Sequence, residues 1–156
     1  MKNNKGITII ALIITIVITL ILATIVIEYG TEEIDKAKIE DLKATMLLIK
    51  GRAQIAVDKD EFGEEYDKTG MLAYAEAADY TSNIQSNLAT MLTDTSNLYI
   101  WAQEAMDSNN INVKITNEDF YIIDYTTLEI YYSLGYEVKG TTYYSLTQLQ
   151  ELDKNN

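Results

Sequence analysis

Between Ile7 and Ile27 the chain runs for 21 residues, ITIIALIITIVITLILATIVI, without one charged side chain. At about 1.5 Å per residue a helix over this run is roughly 31 Å long, close to the thickness of a bilayer's hydrocarbon core. A helix that is apolar all round has no face to offer water, so it must end up covered by lipid or by other helices. The run is therefore expected to span a membrane, and any globular part must be built from the residues after Ile27. Ahead of it stands a short basic leader, MKNNKG, ending at Gly6. A secretory signal has its small-residue cleavage site after a shorter apolar region. Here the only small-residue junction beside a charged segment lies before the apolar run, so cleavage after Gly6 would remove the leader and leave the helix on the mature chain.

Lys5-Gly6 followed by Ile7, Thr8, Ile9 and Ile10 resembles the class III leader junction of type IV prepilins and pseudopilins. That junction has a glycine before the cut, an N-methylated apolar residue after it, then threonine and two aliphatics. The form seen here, Lys-Gly-Ile-Thr and an all-aliphatic helix, looks like pilin-like proteins of low-GC Gram-positive bacteria. The resemblance is specific over residues 2–27. It implies cleavage after Gly6 by a prepilin peptidase, methylation of the Ile7 amine, and assembly contacts at Thr8 and position 11. At position 11 the family carries a glutamate that meets a subunit's terminal amine in the filament, and this chain has Ala11. The departure touches the usual docking pair and the role of a major subunit.

The implied fold is α+β and pilin-like. A long N-terminal helix, with a membrane half over 7–27 and an amphipathic half over 28–57, packs on a small antiparallel sheet in a head of residues 58–156. The implied function is that of a structural subunit of a type IV pilus or related surface or secretion filament, not an enzyme. Its implied partners are other pilin subunits, in a homopolymer or a mixed filament, the prepilin peptidase, the pilus assembly platform and the membrane. The alternative is a permanently membrane-anchored exported protein that keeps its leader and is not polymerised.

Charge orients the membrane segment. Residues 28–156 hold all 24 acidic side chains and ten of the twelve basic ones, a net charge of −14; the other two, Lys2 and Lys5, lie before the apolar run. Positive-inside logic keeps the N-terminus in the cytoplasm and sends the acidic part outward, onto the cell surface after assembly. An acidic exterior lacks the basic footprint of a nucleic-acid-binding protein. The chain contains no cysteine, which excludes disulfides and zinc–thiolate sites, and no histidine, the commonest general base and metal ligand.

Past the membrane run, Ile39, Leu42, Met46, Ile49, Ala53 and Ala56 recur at spacings of three and four, the stripe of an amphipathic helix. Glu40, Asp41, Lys43, Lys50 and Arg52 make a mostly polar opposite side. No proline interrupts Ile7–Val57, so one continuous helix of about 50 residues, roughly 75 Å, is expected, with Gly30 and Gly51 as its weak points. The polar stretch 58–70 ends it. Helices are then expected over Met71–Asp79, Ile84–Leu92 and Leu98–Met106, the last capped near Thr95-Ser96-Asn97, with a turn at Asp107–Asn110.

From Ile111 the composition turns to β-formers. Strands are expected over Asn112–Thr116, Asp119–Tyr125, Leu128–Ser133 and Thr142–Ser145. A two-residue turn at Thr126-Thr127 would set Tyr121, Ile123 and Tyr125 beside Leu128, Ile130 and Tyr132, one apolar face for the long helix. It would also oppose Asp124 and Glu129, and Thr-Thr suits a positive-φ turn poorly, which leaves a longer turn open. Ser145 and Gln148 have the spacing of a capping box for a final helix, Leu146–Leu152. FYIIDYTTLEIYYS and TTYYSLTQL resemble the C-terminal hairpin of Gram-positive pilin-like heads.

One stretch suggests a ligand. Asp58-Lys59-Asp60-Glu61-Phe62-Gly63 resembles the start of a calcium loop, which makes Asp58, Asp60 and Glu64 candidate calcium ligands. Positions five and twelve, Phe62 and Thr69, lack the required oxygens, and a solvated acidic loop is the other reading; no cofactor is expected. Serines have no histidine partner and no nucleophile-elbow context. Twelve tyrosines invite a reading as sugar-binding or adhesive surface, but tyrosine also suits half-buried strands.

Overall fold

The computed structural model describes residues 5–64 and 68–152, with side chains throughout except at 5–8, 10 and 23–34. The chain divides into two compact units, Met1–Glu40 and Asp41–Asn156. Helix α1 spans Lys5–Glu61 and contributes to both. It runs four residues beyond the expected end at Val57, through Asp58, Lys59, Asp60 and Glu61. Gly51 does not interrupt it; the helix passes that residue with open space where a side chain would stand.

The second unit is α+β, with a five-stranded antiparallel sheet in the order β1-β2-β3-β4-β5. The strands are β1 (Met71–Ala73), β2 (Leu98–Trp101), β3 (Tyr121–Asp124), β4 (Glu129–Val138) and β5 (Thr141–Ser145). Short helices connect or follow them: a 3₁₀ turn at Tyr74–Glu76, α2 (Ala78–Thr81), α3 (Ser86–Met91), α4 (Gln103–Ser108) and α5 (Leu146–Leu152).

The α1 stripe is buried as its spacing requires. Leu42, Met46, Ile49, Ala53 and Ala56 are inaccessible or nearly so, while Ile39 is partly exposed. Lys43, expected on the polar side, is instead buried. It lies one residue past Leu42, about 100° round the helix, where a long aliphatic stem can follow apolar surface. In the ladder, Met71, Tyr99, Trp101, Tyr121, Ile123, Ile130 and Tyr132 share one face, and Leu98, Ile100 and Ile122 share the other. Trp101, Ile123 and Ile130 on the first face and Ile100 and Ile122 on the second are fully buried, so both faces are covered. The apolar face expected for the hairpin is present, and β3 is buried on its other side as well. The other core side chains, among them Leu88, Met106, Ile111, Ile115 and Leu149, come from the short helices and from the 111–116 segment.

The β3–β4 hairpin has the expected register, Tyr121 opposite Tyr132, Ile123 opposite Ile130 and Asp124 opposite Glu129. Its connection is the longer alternative, Tyr125–Leu128. Leu128 takes the left-handed conformation (φ 56°), and its N–H donates to the Asp124 carbonyl at 2.7 Å. Thr126 and Thr127 are thus spared a positive φ. The facing carboxylates are also relieved. Asp124 accepts from the Thr126 N–H and the Thr127 hydroxyl, and Glu129 accepts from the N–H and hydroxyl of Thr147. The β4–β5 turn is Lys139-Gly140, both at positive φ, as a two-residue hairpin turn prefers. At the start of α5 the capping box forms: the Tyr144 and Ser145 N–H groups donate to Gln148 Oε1, and the Gln148 N–H donates to Ser145 Oγ.

Three expected elements are corrected. Met71–Ala73 is a strand, with only short helical turns after it, and Leu98–Trp101 is a strand, with helix beginning at Gln103. Asn112–Thr116 is not a strand. Gln103 Nε2 donates to its Val113 carbonyl at 3.1 Å and Gln103 Oε1 accepts from its Ile115 N–H at 2.7 Å, while its Val113 and Thr116 N–H groups donate to the Ile111 and Asp119 carbonyls. Local partners, a side-chain amide and two nearby carbonyls, take the place of a neighbouring strand.

Candidate functional site

Gly6, Ile7 and Thr8 lie outside the residues whose side chains are described. So does the end of the expected span, 23–27. From Ala11 to Leu22, and at Ile9, every side chain is exposed, with the large aliphatic ones 48–63% accessible. Two threonines interrupt this stretch, but each satisfies its own hydroxyl: Thr15 donates to the Ala11 carbonyl at 2.8 Å and Thr19 to the Thr15 carbonyl at 2.7 Å. Such back-bonding leaves methyl groups on the outside and no unmet polar group. Among the described residues no helix is long and apolar enough to cross a membrane.

The residues proposed for calcium do not converge. Asp58 and Asp60 belong to the last turn of α1, where two residues are about 200° apart round the axis. Asp58 accepts from Gln54 Nε2 at 2.8 Å, as a helical neighbour would. Glu64 is exposed beyond the helix end, and Glu65 and Asp67 lie outside the described residues. Among the described residues no three acidic side chains are placed to hold a metal ion. The helix continues through residue 61, so Asp58 and Asp60 stand on it rather than in a loop.

Asp60 instead borders a cleft of about 460 Å³ within the second unit. The end of α1 supplies Ala56, Val57, Asp60 and Glu61 to its wall. Lys68 comes from the segment before β1 and Met71 from its first position, while Asn97 and Tyr99 come from the start of β2 and Tyr125 and Thr126 from the turn after β3. The cleft thus opens where α1 and the first face of the sheet part company.

Its aromatic wall is fixed from behind. Tyr125 accepts from the Trp101 indole N–H at 3.1 Å and donates to Met71 Sδ at 3.5 Å. Its ring stands at 89° to that of Tyr99, with centroids 5.2 Å apart, so the two form a corner rather than a flat wall. Beside them Asn97 is held twice: its carbonyl accepts from the Tyr125 N–H, and its Nδ2 donates to Thr126 Oγ1, both at 3.0 Å. Sequence reasoning did not find this cleft, because it joins three regions distant along the chain, 56–71, 97–99 and 125–126. The one signal available was Trp101, the sole tryptophan, near an Asn-rich turn.

Other tyrosines pack within the fold. Tyr80 meets Phe120 edge-on, and Tyr144 donates to Gln85 Oε1 at 2.8 Å. Burial raises the pKa of Tyr74 and Tyr131 above the usual phenol value, with the Glu129 and Asp124 charges adding to the effect at Tyr131. No family model, curated protein or solved structure matches this chain.

Proposed function

We propose that the chain is a prepilin-like structural subunit, cut after Gly6, methylated at Ile7 and assembled into a type IV pilus or related surface filament. The observation that carries the reading is the Lys5-Gly6-Ile7-Thr8 junction set directly before an uncharged run of 21 residues. The surface of α1 supports it. Side chains exposed to water from Ala11 to Leu22, with their hydroxyls already satisfied, call for cover by lipid before assembly and by neighbouring helices after it. The finer architecture proposed is pilin-like, a helix that continues from the membrane into an α+β head. Its partners would be other pilin subunits, the prepilin peptidase and the assembly platform, and no enzymatic role or cofactor is proposed.

Ala11, in the place of the family's glutamate, favours the second reading, an exported protein that stays anchored and never polymerises. The intact mass of the cell-surface protein separates the two. A subunit loses Met1–Gly6 and gains a methyl group at Ile7, and Gly6→Phe blocks both changes. Surface protein that still carries Met1–Gly6 would establish the anchored reading.

A further inference from the structure

We propose that the cleft between the end of α1 and Tyr99 and Tyr125 binds a neutral oligosaccharide. The inference rests on the second unit alone and holds whether or not the chain polymerises.

The chemistry of the walls selects the ligand class. An anionic ligand would face two carboxylates, Asp60 and Glu61, against one ammonium, Lys68. A cationic ligand would face the like charge of Lys68. A neutral polyol uses all three: carboxylates accept from hydroxyls, the ammonium donates to ring and hydroxyl oxygens, and the Asn97 amide does both. Below this polar rim the cleft is apolar and aromatic, which suits the C–H face of a pyranose ring. Its volume lies within the roughly 300–1,000 Å³ of small-ligand sites.

The site is also preorganised. Tyr125 cannot rotate away without losing its bonds to Trp101 and Met71, and Asn97 is held through both its backbone and its amide. Side chains already fixed in the unliganded protein lose little conformational freedom when a ligand arrives.

Trp101 provides the assay. It is the only tryptophan, it is fully buried, and its indole N–H is bonded to the tyrosine that lines the cleft. The full chain is purified in a polyoxyethylene detergent, which carries no sugar headgroup. Its emission is followed while N,N′-diacetylchitobiose, maltose and lactose are titrated separately, with mannitol and choline as comparison solutes. The expected result is a saturable change with at least one disaccharide and none with mannitol or choline. Asp60→Asn, an exposed and fold-neutral change, and Tyr99→Ala should each weaken the apparent affinity about ten-fold, and Tyr99→Phe should leave it within about three-fold, steps of roughly the size that one polar or stacking contact controls. The proposal is overturned if no disaccharide saturates the signal, if mannitol reproduces it, or if choline alone binds. It is equally overturned if Asp60→Asn and Tyr99→Ala both leave disaccharide affinity unchanged.

Discussion

Tyr121 and Tyr132 stack across the β3–β4 ladder with ring centroids 5.2 Å apart and planes 30° from parallel. Desolvation by burial is the main reason both phenols are held well above their ordinary pKa. The charges of Tyr132, Asp119 and Asp41 add to it at Tyr121, and the charge and hydrogen bond of Asp119 add to it at Tyr132.

The pair therefore makes the head sensitive to alkali. The folded state keeps these protons where the unfolded chain, titrating near pH 10, loses them. Stability is fully present below about pH 10 and falls as pH rises above it, by at most about 1.4 kcal/mol per pH unit for the more buried Tyr121. Thermal melts of the full chain in detergent should show this decline beginning near pH 10, and Tyr121→Phe should flatten it. A melting temperature unchanged across that range would mean the pair titrates as free tyrosine does.

The two sides of α1 should respond oppositely to the same charge. Met46 is fully buried, and Met46→Asp leaves a carboxylate without water or partner, a loss of about 3–5 kcal/mol. Leu48, two residues on and 60% exposed, gives Leu48→Asp within about 0.5 kcal/mol of the parent. Melting of the two variants in parallel checks the pattern. If Leu48→Asp melts normally yet is depleted from sheared filaments, the outer face of α1 serves assembly rather than folding.

Gly135 sits in the bulge of β4 at φ +66°, and a Cβ there would lie 2.6 Å from the Thr142 methyl and 2.7 Å from the Tyr144 ring. Gly140 has a positive φ as well but open space around it. Gly140→Ala should cost about 1–2 kcal/mol of backbone strain, and Gly135→Ala about 1–3 kcal/mol more because Tyr144 must shift. The melting temperatures of the two variants give the difference. Equal losses would mean that the bulge adapts freely.

The legible and illegible parts of this fold differ in where each signal resides. The α1 stripe, the β3–β4 register and the Ser145–Gln148 box depend on neighbours within a few residues, and period and spacing alone carry them. Leu98–Trp101 is a four-residue apolar run, too short for its period to separate strand from helix; pairing with Tyr121–Asp124 decides it. Met71–Ala73 begins an alanine-rich stretch that favours helix locally, and the ladder with β2 overrides it. Asn112–Thr116 has the β-formers of a strand, but Gln103 supplies two of its backbone hydrogen bonds, a partner no propensity encodes. The cleft was the least legible part, since Asp60, Asn97 and Tyr125 meet only once the sheet is closed against α1. Asp60 also belongs to the stretch that resembles a calcium loop, but the structure places it on α1 and in the wall of the cleft.

The last prediction concerns Ala11. If Ile7 becomes the N-terminus, its amine is a cation at the head of an apolar helix, and residues 7–27 contain no acid to meet it. Glu28 is about 21 residues away, more than roughly 30 Å along the helix. A cation taken into a filament core without a partner costs several kcal/mol, about enough to exclude the subunit from positions where another docks above it. The Ala11 side chain is exposed, and its carbonyl is occupied by Thr15, so a longer side chain at this position would not disturb the helix. Ala11→Glu should therefore be tolerated, and it should raise the amount of this protein in sheared filaments that contain glutamate-bearing subunits. The measurement is that amount, mutant against parent, by quantitative mass spectrometry. A clear fall would mean that apolar neighbours pack tightly on Ala11 in the filament and that assembly of this subunit never used a charge pair.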